Sequence, residues 1–134
     1  MEQWLLPFVD AGVDVFDCSQ RRFWENEFEG SDLNFAGWVR EVTGKPTVSL
    51  GSVGLNTEVM EFFNQSTAAD PAPLDELLRR FERGDFDFVG VGRALLADPD
   101  WLKKIEQGRF NELRTVYPAD AFKVETLASD LSSD

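Results

Sequence analysis

Three short apolar runs set the frame for this chain: Val13 to Cys18, Pro46 to Leu50 and Asp87 to Val91. Each leads into a loop or a glycine-bearing turn, and then into a segment with helical periodicity. Their spacing of roughly 35 to 40 residues is what a strand, a crossover helix and the next parallel strand require, whereas antiparallel hairpins need only a few linking residues. The chain is therefore expected to be α/β, with parallel βα units.

The segments between the runs agree. Residues 1–11 read as the end of a helix with Trp4, Leu5, Phe8 and Val9 on one face and Gly12 as its stop. In the first strand, Val13, Val15 and Asp17 share one side. Ser31 or Asp32 is expected to cap a helix over about Leu33–Val42, with Leu33, Ala36, Trp38 and Val39 available for burial, and Gly44 and Pro46 end it. Thr57–Asn64 reads as a short helix, followed by an Ala/Pro-rich loop at 66–73. Leu74, Leu77, Leu78 and Phe81 form an amphipathic stripe that ends at Gly84. Asp98-Pro99 opens a further helix over Asp100–Gln107. A polar, acidic stretch follows Leu127, and residues 128–134 are expected to be a disordered tail.

Composition removes several classes of function. The 134 residues hold no histidine, so the chain offers no imidazole ligand or base. Its single cysteine, Cys18, allows neither an intrachain disulfide nor a cysteine zinc site, and no spacing motif for metal ligands is present. A formal net charge of -12 argues against nucleic acid as a partner. No basic segment followed by an apolar run begins the chain, and no apolar stretch approaches the roughly 20 residues of a membrane span. A cytoplasmic location is the expectation.

Ligands of parallel α/β folds bind at the carboxyl ends of the strands. Gly51-Ser52-Val53-Gly54 follows the second strand, and Gly92-Arg93 follows the third, at the start of a helix. Each alone is compatible with an ordinary βα turn. As a pair on consecutive strands they suit a phosphate, held by backbone N–H groups and the Arg93 guanidinium. The loop from Gln20 to Gly30 carries Arg21, Arg22, Phe23, Trp24 and Phe28. These aromatics either line a flat ligand or pack the loop down. Cys18 reads as a small strand-end residue rather than a nucleophile, and Glu25, Glu27 and Glu29 as solvent-facing. Tyr117 reads as packing or surface.

Taken together the motifs resemble a known family. Gly12-Val13-Asp14-Val15-Phe16-Asp17-Cys18-Ser19, with Arg21-Arg22-Phe23-Trp24 and Glu27-Phe28-Glu29-Gly30-Ser31-Asp32-Leu33-Asn34, is similar to the sixth strand and following loop of the Old Yellow Enzyme family. These are NAD(P)H:flavin oxidoreductases on a TIM barrel. Gly51-Ser52-Val53-Gly54-Leu55 resembles their seventh-strand turn. Phe88 to Trp101, with Gly92-Arg93-Ala94-Leu95-Leu96-Ala97-Asp98-Pro99 at its centre, resembles their eighth-strand signature and is the most specific of the three.

The resemblance covers roughly residues 1–127. It implies a partial TIM barrel, about three parallel βα units corresponding to strands six to eight. A complete (β/α)8 barrel needs at least about 200 residues. It implies FMN as cofactor, with Gly51, Ser52, Gly92 and Arg93 at the phosphate, and Arg22, Phe23 and Trp24 on the substrate side. NAD(P)H would be the reductant and an activated alkene of enone type the substrate. The family's carbonyl-binding histidine pair or histidine-asparagine pair, and its catalytic tyrosine, lie on earlier strands, so catalytic donors are not expected within this chain. The chain then reads as a C-terminal portion, with Val13, Val15, Val48, Leu50, Val89 and Val91 awaiting partners from a missing barrel half or from self-association. The same two turns also suit a non-catalytic, flavodoxin-like phosphate module, and an inactive fragment is the third alternative.

Overall fold

The computed structural model describes residues 1–54 and 74–114, which form two compact units. The expected helix at 57–64, the loop at 66–73, Leu55, Tyr117 and the tail at 128–134 lie outside the described residues. The described part of the first unit comprises residues 1–53 and 74–90; that of the second comprises Gly54 and residues 91–114.

The first unit is built on a parallel sheet of β1 (Phe16–Ser19), β2 (Thr47–Leu50) and β3 (Phe88–Val89), in that spatial order. Its helices are α1 (Glu2–Asp10), α2 (Phe35–Thr43) and α3 (Leu74–Arg83). The chain is thus mixed α/β with a small three-stranded parallel sheet. α1 packs on α2, and α2 packs on β1 and β2. Leu5, Cys18, Phe23, Ala36, Val39, Leu77 and Phe86 are buried there.

Register decides which residues share a face. Phe16 pairs with Thr47, Cys18 with Ser49, and Ser49 with Val89. This face carries the buried Cys18, Thr47 and Ser49. The opposite face carries Asp17, Ser19, Val48, Leu50 and Phe88, and Phe88 is 56% exposed. Gly90 extends that second face: a Cβ there would sit 2.3 Å from Leu50 Cγ, so only glycine fits beside the leucine.

Two expectations are corrected here. Of the residues expected to await barrel partners, Val89 lies on the face of the buried Ser49, opposite that of Val48 and Leu50. β1 also starts at Phe16, leaving Val13 and Val15 outside it. α1 closes just before it: Gly12 adopts φ +92° and its N–H bonds Val9 O, while the Val13 N–H bonds Phe8 O. Pairing with β2 begins where the Phe16 N–H bonds Pro46 O, and Pro46 has no N–H to offer the residues before it.

The helix at 35–43 starts later than its sequence suggests. Its cap is Asn34, whose side-chain oxygen accepts from the Gly37 N–H at 2.9 Å. Ser31 Oγ instead accepts from the Leu33 N–H, and Asp32 pairs with arginines. In α3, Leu77 is buried as the stripe predicts, but Leu78 and Phe81 are exposed and Arg80 is buried.

The second unit holds α4 (Arg93–Ala97), α5 (Trp101–Glu106) and a 3-10 turn (Phe110–Glu112). Gly54 lies against Ala94 and Trp101, both buried: a Cβ there would meet the Ala94 Cβ and the indole at 3.0 Å each. Lys104 Nζ donates to Asp98 Oδ2 at 2.7 Å and to Glu112 O at 3.2 Å. Burial alone would raise the Asp98 pKa; Lys104 and the N–H groups of Arg114 and Asp100 outweigh it and hold the carboxyl below its usual range. Among the described residues no helix is long and apolar enough to cross a membrane.

Candidate functional site

The carboxyl end of the sheet is where the sequence places its chemistry, and there the structure stitches two segments together. The Gln20 N–H bonds Leu50 O, the Phe23 N–H bonds Gly51 O, and Ser52 Oγ donates to Arg21 O at 3.1 Å. The turn after β2 and the loop after β1 are therefore tied by three hydrogen bonds. Gly51 has φ +144°, and a Cβ on it would lie 2.4 Å from Gln20 O. No other residue fits without displacing backbone. Ser52, next to it, holds φ +54°, a left-handed conformation uncommon outside glycine.

Three polar side chains hold this arrangement from beneath. Asn34, fully buried, donates from Nδ2 to Phe23 O at 3.0 Å and to Ser49 Oγ at 3.2 Å while capping α2. Gln20 Oε1 accepts from the Phe35 N–H, and Gln20 Nε2 donates to Glu25 O. The buried Arg80 guanidinium reaches the loop from α3. Sequence reasoning passed over all three. Asn34 directly precedes the periodic Phe35-Ala36-Gly37-Trp38-Val39, a capping signal, and Arg80 sits three residues after Leu77 on the buried stripe.

Of the expected ligand-side residues, Phe23 is 1% exposed and meets Trp24 edge to face at 5.1 Å, which supports the packing alternative for its ring. Trp24 and Arg22 are half-buried, and Arg22 Nη1 pairs with Glu25 Oε1 at 2.9 Å. Glu25, Glu27 and Glu29 are exposed. Gly51 and Ser52 belong to the first unit; Gly92 and Arg93 belong to the second, where Arg93 opens α4 and open space surrounds the position a Gly92 Cβ would take.

Cys18 is buried, its thiol donating weakly to Phe16 O at 3.6 Å. Burial, reinforced by the Asp17 charge, pushes its pKa up to about 12. It stays protonated near neutrality and is not a nucleophile. Among the described residues no group of three or more cysteine or carboxylate side chains is arranged to hold a metal.

Comparison with known proteins finds local similarity to redox enzymes. Over 31 residues, 23% of this chain, it is 61% identical to the NADH oxidase of Thermoanaerobacter brockii. Over 33 residues, 25% of this chain, it is 54% identical to the bilirubin reductase of Mediterraneibacter gnavus. The matched stretch spans only 5% of the length of each of these proteins. No family model matches it.

Proposed function

We propose that this chain is the FMN-binding, C-terminal portion of a TIM-barrel NAD(P)H:flavin oxidoreductase of Old Yellow Enzyme type. The observation that carries the reading is the parallel sheet in chain order, with a glycine-only turn at the carboxyl end of its central strand. The local similarity to an NADH oxidase and a bilirubin reductase supports it.

The residues suit the cofactor's phosphate in kind. Gly51 and Ser52 carry no large side chain, and Gly92 has open space where a Cβ would stand, ahead of Arg93, whose guanidinium suits a dianion. Bound FMN would supply hydride transfer, from NAD(P)H to the flavin and on to an activated alkene. On the family resemblance, Gly51, Ser52, Gly92 and Arg93 are assigned to the phosphate and Arg22, Phe23 and Trp24 to the substrate side, where the buried Phe23 ring meets Trp24 edge to face. With no histidine in the chain, the donors that polarise a substrate carbonyl come from elsewhere in the barrel. The partner is that barrel portion, meeting the sheet at the face of Val48, Leu50 and Phe88.

Fluorescence titration of FMN with the full chain tests this reading. Quenching is expected, and Arg93→Ala should weaken binding by about 10- to 150-fold, the loss of one charge-assisted contact of roughly 1.5–3 kcal/mol. Unchanged affinity in the variant would show that Arg93 does not hold the phosphate. Absence of quenching would overturn the flavin reading.

A further inference from the structure

We infer that Arg80 is a positioning residue that fixes Trp24 at the carboxyl end of the sheet; its relevance to a ligand rests on the flavin reading above. The loop between β1 and α2 has little buried apolar surface to hold it: the Phe28 ring meets Trp38 at 5.3 Å but stays 44% exposed. Residues 25–30 are all exposed, four of them being Glu25, Asn26, Glu27 and Glu29. Phe23 is the loop's only large buried apolar side chain. Its backbone must therefore be held by polar anchors from other elements.

Two anchors act on consecutive carbonyls. Asn34 Nδ2 takes Phe23 O, and Arg80 Nη2 takes Trp24 O, each at 3.0 Å. The peptide planes on both sides of Trp24 are thereby fixed, and with them the direction in which the indole leaves the backbone. Arg80 also donates to Asn26 Oδ1 at 3.0 Å and to Asp32 O at 2.8 Å, so one guanidinium grips the loop at three places. Its charge is balanced by Glu76 Oε1 at 2.7 Å and Asp85 Oδ2 at 3.5 Å.

The chemistry explains why an arginine stands here. A buried cation costs more than a leucine at the same point of an amphipathic stripe, unless its donors have work a leucine cannot do. Only a planar fork with five N–H groups reaches two backbone carbonyls, a side-chain amide and a carboxylate together; an ammonium directs its donors from one point. Most of the partners of Arg80 outside its own helix lie on the loop, 48 to 56 residues earlier in the chain.

Amide hydrogen exchange on the full chain separates positioning from general stability. The Glu25 N–H bonds Arg22 O and the Glu27 N–H bonds Leu33 O, so both report the loop, while the Gly90 N–H bonds Ser49 O and reports the sheet. Arg80→Lys keeps the charge that Glu76 and Asp85 need. It should speed exchange at Glu25 and Glu27 by about tenfold or more while Gly90 stays within about twofold. Asn26→Ala, at an exposed position, should shift the same loop amides in the same direction by a few-fold. Uniform acceleration at all three reporters in Arg80→Lys, or none at the loop, would overturn the assignment. An FMN titration run alongside keeps the two ideas apart: wild-type chain that fails to quench FMN removes the flavin reading, while the exchange pattern still decides the role of Arg80.

Discussion

At the amino end of the sheet, Arg40 makes a forked contact with Asp87, and Asp87 Oδ2 also accepts the Thr47 N–H at 3.0 Å. At the carboxyl end, Asn34, Gln20 and Arg80 join the β1 loop to α2, β2 and α3, and Gly51 lies against the backbone of Gln20. The first tie is a solvent-accessible ion pair, with the Arg40 side chain 44% exposed. The second is built largely from buried side chains and a backbone conformation few residues accept. Water screens and competes with an exposed pair, whereas a buried polar group left unpaired carries its full desolvation cost. Of these two ties in the first unit, the one made by buried side chains thus lies at the end where parallel α/β proteins bind ligands.

That contrast can be broken by substitution. Asn34→Ala removes the α2 cap and leaves Phe23 O without its donor, so a loss of about 2–4 kcal/mol is expected in urea unfolding. A loss no larger than that of the amino-end variant would erase the distinction. Arg40→Ala should cost about 1 kcal/mol or less, and the difference from wild type should shrink further in high salt.

Acid sharpens the comparison on a smaller scale. The hydrogen bond from Arg40, followed by the Thr47 N–H, holds the Asp87 carboxyl below its usual range. A depressed folded-state value contributes stability that is complete above the unfolded carboxylate value of about 3.9 and is lost as pH falls through the folded one. Melting temperature should therefore fall below about pH 4, and Arg40→Ala should flatten the part of that fall due to Asp87. Identical acid profiles in both proteins would show that Arg40 does not set this carboxylate.

The sequence makes the parallel α/β class legible because strand spacing and glycine stops are local signals: Gly12, Gly44 and Gly84 all end helices with positive φ. It makes the Gly51 turn legible for the same reason. What it hides depends on contacts far apart in the chain. The start of β1 turns on where its partner strand can pair, after Pro46, so the alternation beginning at Val13 misleads. Asn34 competes with Ser31 and Asp32 as a cap, and only the reach to Phe23 O and Ser49 Oγ separates them. Arg80 reads as a solvated charge until the loop carbonyls 48 and 56 residues earlier are placed beside it.

The proposed function has the strand-end turns of this chain holding a flavin by its phosphate. Parallel titrations with FMN and with riboflavin, which lacks that phosphate, test it most directly. Saturable quenching by FMN and at least about tenfold weaker binding of riboflavin are expected. Equal affinity for the two flavins, or no binding of FMN, would contradict it.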